Sequence, residues 1–136
     1  MLEIKLGRYD SNYCVEQFEM TQPKIIGQEA IWAFDLNEEE FEVYIPAPDG
    51  LADPSALASA KDVMRNITSM DDLVQKSNLS ECERTGIDPK NYMLYLAYAK
   101  VETEKASLCY YGEKVNTEWD AIFVKEEGKW KPTNFK

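Results

Sequence analysis

The chain contains no histidine. That removes the side chain that most often moves protons near neutral pH, and with it every Ser-His or Cys-His nucleophile pair. Cysteine is scarce: Cys14, Cys82 and Cys109 are odd in number, widely spaced and without a CxxC pair, which is neither a disulfide framework nor a zinc site. The six glycines are scattered singly, so no GxGxxG or GxxxxGK[ST] loop is present to cradle a nucleotide phosphate. No run approaches the roughly 18 apolar residues of a membrane span. The start, MLEIKLGRYD, lacks the basic segment and apolar core of a secretory leader. Together these absences predict a cytoplasmic protein that is not an enzyme, uses no cofactor and holds no metal.

Positive charge is also in short supply. Against 25 acidic residues stand 15 basic ones, a net charge of −10 and a pI near 4.5. Such a surface repels phosphate backbones and anionic lipid, which argues against nucleic acid and membrane as partners. It favours a basic protein partner, because opposite fields steer encounter. With 136 residues, 44% hydrophobic and 29% charged, the expectation is one domain over residues 1–136 with its own core.

What is abundant is strand pattern. The last third reads as a run of strands, YMLYLAYAKVETEK, ASLCYYGEKV, TEWDAIFVKEEG and KWKPTNF, broken at Glu104-Lys105, Gly112 to Asn116 and Glu126 to Gly128. Tyr92, Leu94, Leu96 and Tyr98 alternate with Met93, Tyr95, Ala97 and Ala99, so the first run is apolar on both faces and predicts a central strand covered on both sides. Near the start, Leu2, Ile4 and Leu6, a turn over Gly7 to Asn12, and then Tyr13, Val15 and Phe18 predict a first hairpin. A second follows: Trp32, Phe34 and Leu36 share one face, Asn37 to Glu39 turn the chain, and Phe41, Val43 and Ile45 alternate with Glu42 and Tyr44.

Between these strand regions, Asp53 is placed as an N-cap with Pro54 at the first helical position. Leu57, Ala60, Met64, Ile67, Met70 and Val74 recur at spacings of three and four. This predicts one main helix from Pro54 to about Ser77, with a possible break near Thr68. Ser80 and Glu83 have capping-box spacing for a short helix that Gly86 would stop. The order of strands, helix, strands predicts an α+β fold: an antiparallel sheet of N-terminal hairpins and a C-terminal meander packed against one main central helix.

The acid runs Glu38-Glu39-Glu40-Glu42 and Asp71-Asp72 lack calcium-loop spacing and read as solvated, the first at a hairpin tip and the second in a helical turn. Tyrosine and tryptophan crowd the C-terminal strands, a composition that suits interface anchors. The residues expected to meet a basic partner are therefore Glu38, Glu39, Glu40 and Glu42, the short-helix acids Glu81 and Glu83, and Tyr111 with Trp119. A second reading is a small-molecule or catalytic pocket using Asp120 or Glu118 beside Tyr110 and Tyr111.

In size, acidity, element order and Trp-bearing hairpins the chain resembles the immunity proteins of bacterial contact-dependent and polymorphic toxin systems. That resemblance implies an inhibitor occluding a cationic toxin domain. Separately, the ending Phe123-Val124-Lys125-Glu126-Glu127-Gly128-Lys129-Trp130-Lys131 resembles the last hairpin of cone-shaped domains similar to nuclear transport factor 2, which implies the pocket of the second reading.

Overall fold

A computed structural model describes residues 5–112 and 117–135. The elements run α1 (Ser11–Met20), β1 (Lys24–Ile26), β2 (Glu29–Leu36), β3 (Glu39–Pro46), α2 (Pro54–Arg65), α3 (Ile67–Thr85), a 3-10 turn (Pro89–Asn91), β4 (Leu94–Val101), β5 (Lys105–Gly112), β6 (Thr117–Glu126) and β7 (Lys129–Pro132). The strands form one open seven-stranded sheet in chain order, β1 to β7. Every neighbouring pair is antiparallel except β3 and β4, which run parallel. Parallel strands cannot be joined by a tight turn. The chain leaves β3 through α2 and α3 and returns to β4, so the helical layer is the crossover that joins the two antiparallel halves. The α+β class, the second hairpin and the C-terminal meander follow the sequence pattern; the edge strand β1 and the parallel seam do not show in it.

The N-terminal region differs most from its pattern. Tyr13, Val15 and Phe18 lie not in a strand but in α1, which buries Cys14 and Phe18 one turn apart. The stretch that resembles a turn is a helix cap: the Asp10 carboxylate accepts the backbone N–H of Asn12 at 2.9 Å and of Tyr13 at 3.3 Å. Leu2 and Ile4 of the expected first strand, and residues 113–116 of the expected turn before β6, lie outside the described residues. The second hairpin is as expected, and its two-residue turn holds Asn37 and Glu38 at φ of 51° and 68°, the geometry of a turn whose twist matches the strands.

The single long helical pattern is two helices, broken at Asn66, whose φ of −111° and ψ of 9° end α2. Asn66 provides no side-chain cap for α3. The first turn of α3 is held instead by α1: Thr68 N–H donates to Ser11 Oγ at 3.1 Å, and Ser11 N–H donates to Thr68 Oγ1 at 3.1 Å. Two helix starts thus satisfy each other's orphan donors. The spacing at Ser80 and Glu83 marks no new helix; α3 continues to Thr85, and Gly86 stops it with φ of 76°.

Helices lie on one face of the sheet. There Trp32, Phe34, Phe41, Val43, Leu96, Ala99, Leu108, Tyr110, Ala121 and Phe123 meet Val63, Met64, Ile67, Met70 and Val74 in one buried cluster. Polar ties fix the registry between layers. Asp62 on α2 accepts from Trp130 Nε1 at 3.0 Å and pairs with Lys125 Nζ at 3.1 Å, and Ser59 Oγ donates to the Thr103 carbonyl. Strand β4 is central as expected, but only its inner face is covered. Its other face carries Tyr95 and Tyr98, which are half-buried.

Candidate protein-interaction face

Alternation along each strand decides what the uncovered face displays, because residues two apart point the same way. On β2 and β3 the partners of the buried set are Asp35 opposite Glu40 and Ala33 opposite Glu42. The parallel seam sets Glu42 against Tyr98 and Tyr44 against Lys100. Beyond it, Tyr98 faces Cys109 and Tyr95 faces Tyr111, which in turn face Asp120 and Glu118. Residues remote in the chain therefore form one row across the seam, Ala33, Glu42, Tyr98, Cys109, Asp120, flanked by the pair Asp35 and Glu40 on one side of the seam and by Tyr95, Tyr111 and Glu118 on the other.

The tyrosines are arranged in pairs. Tyr44 and Tyr98 meet edge to face with centroids 5.6 Å apart, and Tyr95 and Tyr111 are tilted at 5.6 Å. Tyr111 Oη donates to Glu39 Oε2 at 2.6 Å, and Tyr44 Oη donates to Glu42 Oε1 at 3.0 Å. The rings thereby orient two carboxylates without neutralising them. The described ion pairs are Glu81 with Arg84, Asp62 with Lys125 and Glu126 with Lys131. Asp35, Glu38, Glu39, Glu40, Glu42, Glu118 and Asp120 belong to none of these. Of the lysines of this face, Lys105, Lys129 and Lys131 stand at its opposite end, opposite or next to Val124 and Glu126, while Lys100 lies within the tyrosine region, its Nζ 5.8 Å from the Tyr44 ring centroid. One end of the sheet face is thus richer in acids and tyrosines, and the other in lysines.

Cys109 lies between Tyr98 and Asp120 and is buried. Burial first, and the Asp120 carboxylate second, push its thiol up to about 12, so it is protonated at neutral pH and inert as a nucleophile. Tyr98 is pushed up to about 12, chiefly through its hydrogen bond with Cys109. Tyr44 is also raised, by desolvation and then by Glu42. Tyr44 and Tyr98 therefore keep their hydroxyl protons and act as donors.

Of the residues singled out from sequence, Glu40, Glu42 and Tyr111 come together on this face, Glu39 is held at its end by Tyr111, and Glu38 occupies the adjoining turn. The others lie in the helical layer or against it. Glu81 is on α3, bonded to Arg84 one turn away, and Glu83 is exposed near the end of the same helix. Trp119 alternates to the inner face, 6.4 Å from Tyr110 and 5.4 Å from Phe135, where it borders a cavity of about 260 Å³ with Glu81, Tyr92 and Leu94. Against known proteins, the chain matches no family model, no curated protein and no solved structure.

The groups of the pocket reading do not converge. Tyr111, Glu118 and Asp120 point outward, whereas Tyr110 points inward and is fully covered. The carboxylate beneath Tyr110 is Asp71, which is not solvated as its run suggested but completely buried. Its Oδ1 accepts from Tyr110 Oη at 2.7 Å and from Gln75 Nε2 at 3.1 Å, while its Oδ2 has no partner. Desolvation raises its pKa, against the pull of the two hydrogen bonds and of Arg8.

Proposed function

We propose that this protein is a cytoplasmic binding protein whose outer sheet face captures and occludes a basic partner, as an immunity protein does a toxin domain. The observation that supports this reading is the juxtaposition of carboxylates that form no ion pair among the described residues with paired tyrosines on the one sheet face that the helices leave open. Carboxylates attract the partner and speed its approach. Tyrosines contribute contact area at little cost in side-chain entropy and slow departure. Once water is excluded, a guanidinium of the partner forms bidentate bonds with a carboxylate. A toxin that acts on nucleic acid must present a basic cleft to its substrate, and this face complements such a cleft. The role is one of occlusion and needs no chemistry from the chain itself.

The test begins with a pull-down at low salt, followed by surface-based kinetics with the purified partner. The triple reversal Glu40→Lys, Glu42→Lys, Asp120→Lys is expected to slow association by about tenfold or more and to flatten its salt dependence. Reversing Glu81 and Glu83 is expected to change it by less than about twofold. A partner that ignores the triple reversal, or that responds to Glu81 and Glu83 instead, contradicts the assignment of this face.

A further inference from the structure

Besides the lysine-bearing end of the outer sheet face, a second group of basic side chains gathers among the described residues, beside the 3-10 turn. Lys5, Arg8 and Lys90 border a cleft of about 170 Å³ with Gln75, Asn78, Pro89 and Met93, and Lys5, Arg8 and Met93 continue into a second cleft of about 250 Å³. Arg8 is half-buried, and its guanidinium carbon lies 5.4 Å from the ring centroid of Tyr9 and 5.0 Å from that of Tyr95. Its Nη1 donates to the Leu94 carbonyl. Two rings and one carbonyl therefore hold the guanidinium in place, while most of its five N–H donors have no partner among the described residues.

None of these three cations takes part in an ion pair among the described residues. The nearby acids are engaged elsewhere: Asp71 with Tyr110 and Gln75, and Asp72 with the Gly7 N–H at 2.7 Å. Glu39, at the far side of the second cleft, takes the Tyr111 hydroxyl. The floor is polar and fixed. Gln75 and Asn78 are 3% and 8% exposed, and their amide nitrogens are committed to Asp71 and to the Tyr92 carbonyl. Their amide oxygens accept no hydrogen bond from the described residues.

We infer that this cleft is a binding site for a small hydroxycarboxylate. The carboxylate would take the fork of Arg8, flanked by Lys5 and Lys90, and the hydroxyl would donate to an amide oxygen of Gln75 or Asn78. Planar bidentate geometry suits a carboxylate. The acids behind the floor, Asp71 and Asp72, disfavour a phosphate dianion relative to a singly charged carboxylate.

The inference is tested by NMR titration of the isotope-labelled chain with glycolate, acetate and inorganic phosphate, at constant ionic strength balanced with chloride. Glycolate is expected to give saturable shifts at the Arg8 Nε–H and at the amides of Gln75, Asn78, Lys90 and Met93, with acetate weaker. Lys90→Glu, an exposed change that spares the packing, is expected to weaken glycolate by about tenfold, and Arg8→Lys by at least as much, since a lysine cannot reproduce the fork. Shifts that grow linearly without saturating, shifts spread over lysines elsewhere, or glycolate binding unchanged in Lys90→Glu would overturn the site. Acetate equal to glycolate would overturn the role of the amide oxygens, and phosphate binding tighter than either would overturn the choice of carboxylate.

Discussion

The two faces of the sheet are made from the same strands, yet they solve different problems. Along β3, Phe41, Val43 and Ile45 are fully buried against the helices, while Glu40, Glu42 and Tyr44 between them meet water. The inner face is selected for volume and shape, so that a change there is a change in folding. The outer face carries carboxylates that form no ion pair among the described residues, and tyrosines whose hydroxyls orient two of them, Glu42 and Glu39. Their concentration at one end of a face left open by the helices is the feature on which the proposed binding role rests.

The sharpest way to break this contrast is to place charge on both faces. Ile67→Asp puts an unpaired carboxylate where Ile67 is 0% exposed, and it is expected to cost more than about 4 kcal/mol and abolish cooperative melting. Glu42→Lys on the outer face should shift stability by no more than about 0.5 kcal/mol. Wild-type-like melting of the first, or unfolding of the second, would erase the distinction between the faces.

Asp71 sharpens the comparison, because it is an acid on the wrong side. Its environment contains Tyr110, Gln75, Arg8 and Asp72, and it holds its proton more tightly folded than unfolded. The native state therefore binds more protons, and stability falls as pH rises from the ordinary carboxylate range through the raised folded value. Asp71→Asn keeps an acceptor for Tyr110 and has no proton to lose. Its Tm should exceed that of the wild type near neutral pH, with the gain shrinking in acid; a gain that grows on acidification would contradict the buried-acid account. A smaller effect belongs to the helix starts: Ser11→Ala, which removes one side of the exchange with Thr68, is expected to cost about 1 kcal/mol in denaturant unfolding.

Much of this was legible in the chain. The second hairpin, the C-terminal strands and the helix start at Asp53-Pro54 each follow from local alternation, spacing or capping chemistry, which act over a few residues. What was not legible is what depends on distant neighbours. Glu42 lies beside Tyr98 only because β3 and β4 pair in parallel across a crossover, and no local pattern encodes that pairing. Trp119 and Tyr111 looked alike as anchors, but strand parity sends one inward and the other outward. Asp71 escaped for the same reason: its burial is decided by Tyr110, 39 positions away. The ambiguity at α1 is local, since Asp10-Ser11-Asn12 serves equally as a turn and as a helix cap.

The central claim, that cations dock on the acidic end of the outer face, is tested most directly with carbodiimide coupling of a short lysine peptide to the folded chain, read by mass spectrometry at low and raised salt. The account predicts salt-sensitive cross-links at Glu40, Glu42, Glu118 and Asp120, reduced when Tyr98 and Tyr111 are replaced by alanine. Cross-links spread evenly over the exposed acids, or gathered at Glu81 and Glu83 on α3, would contradict it.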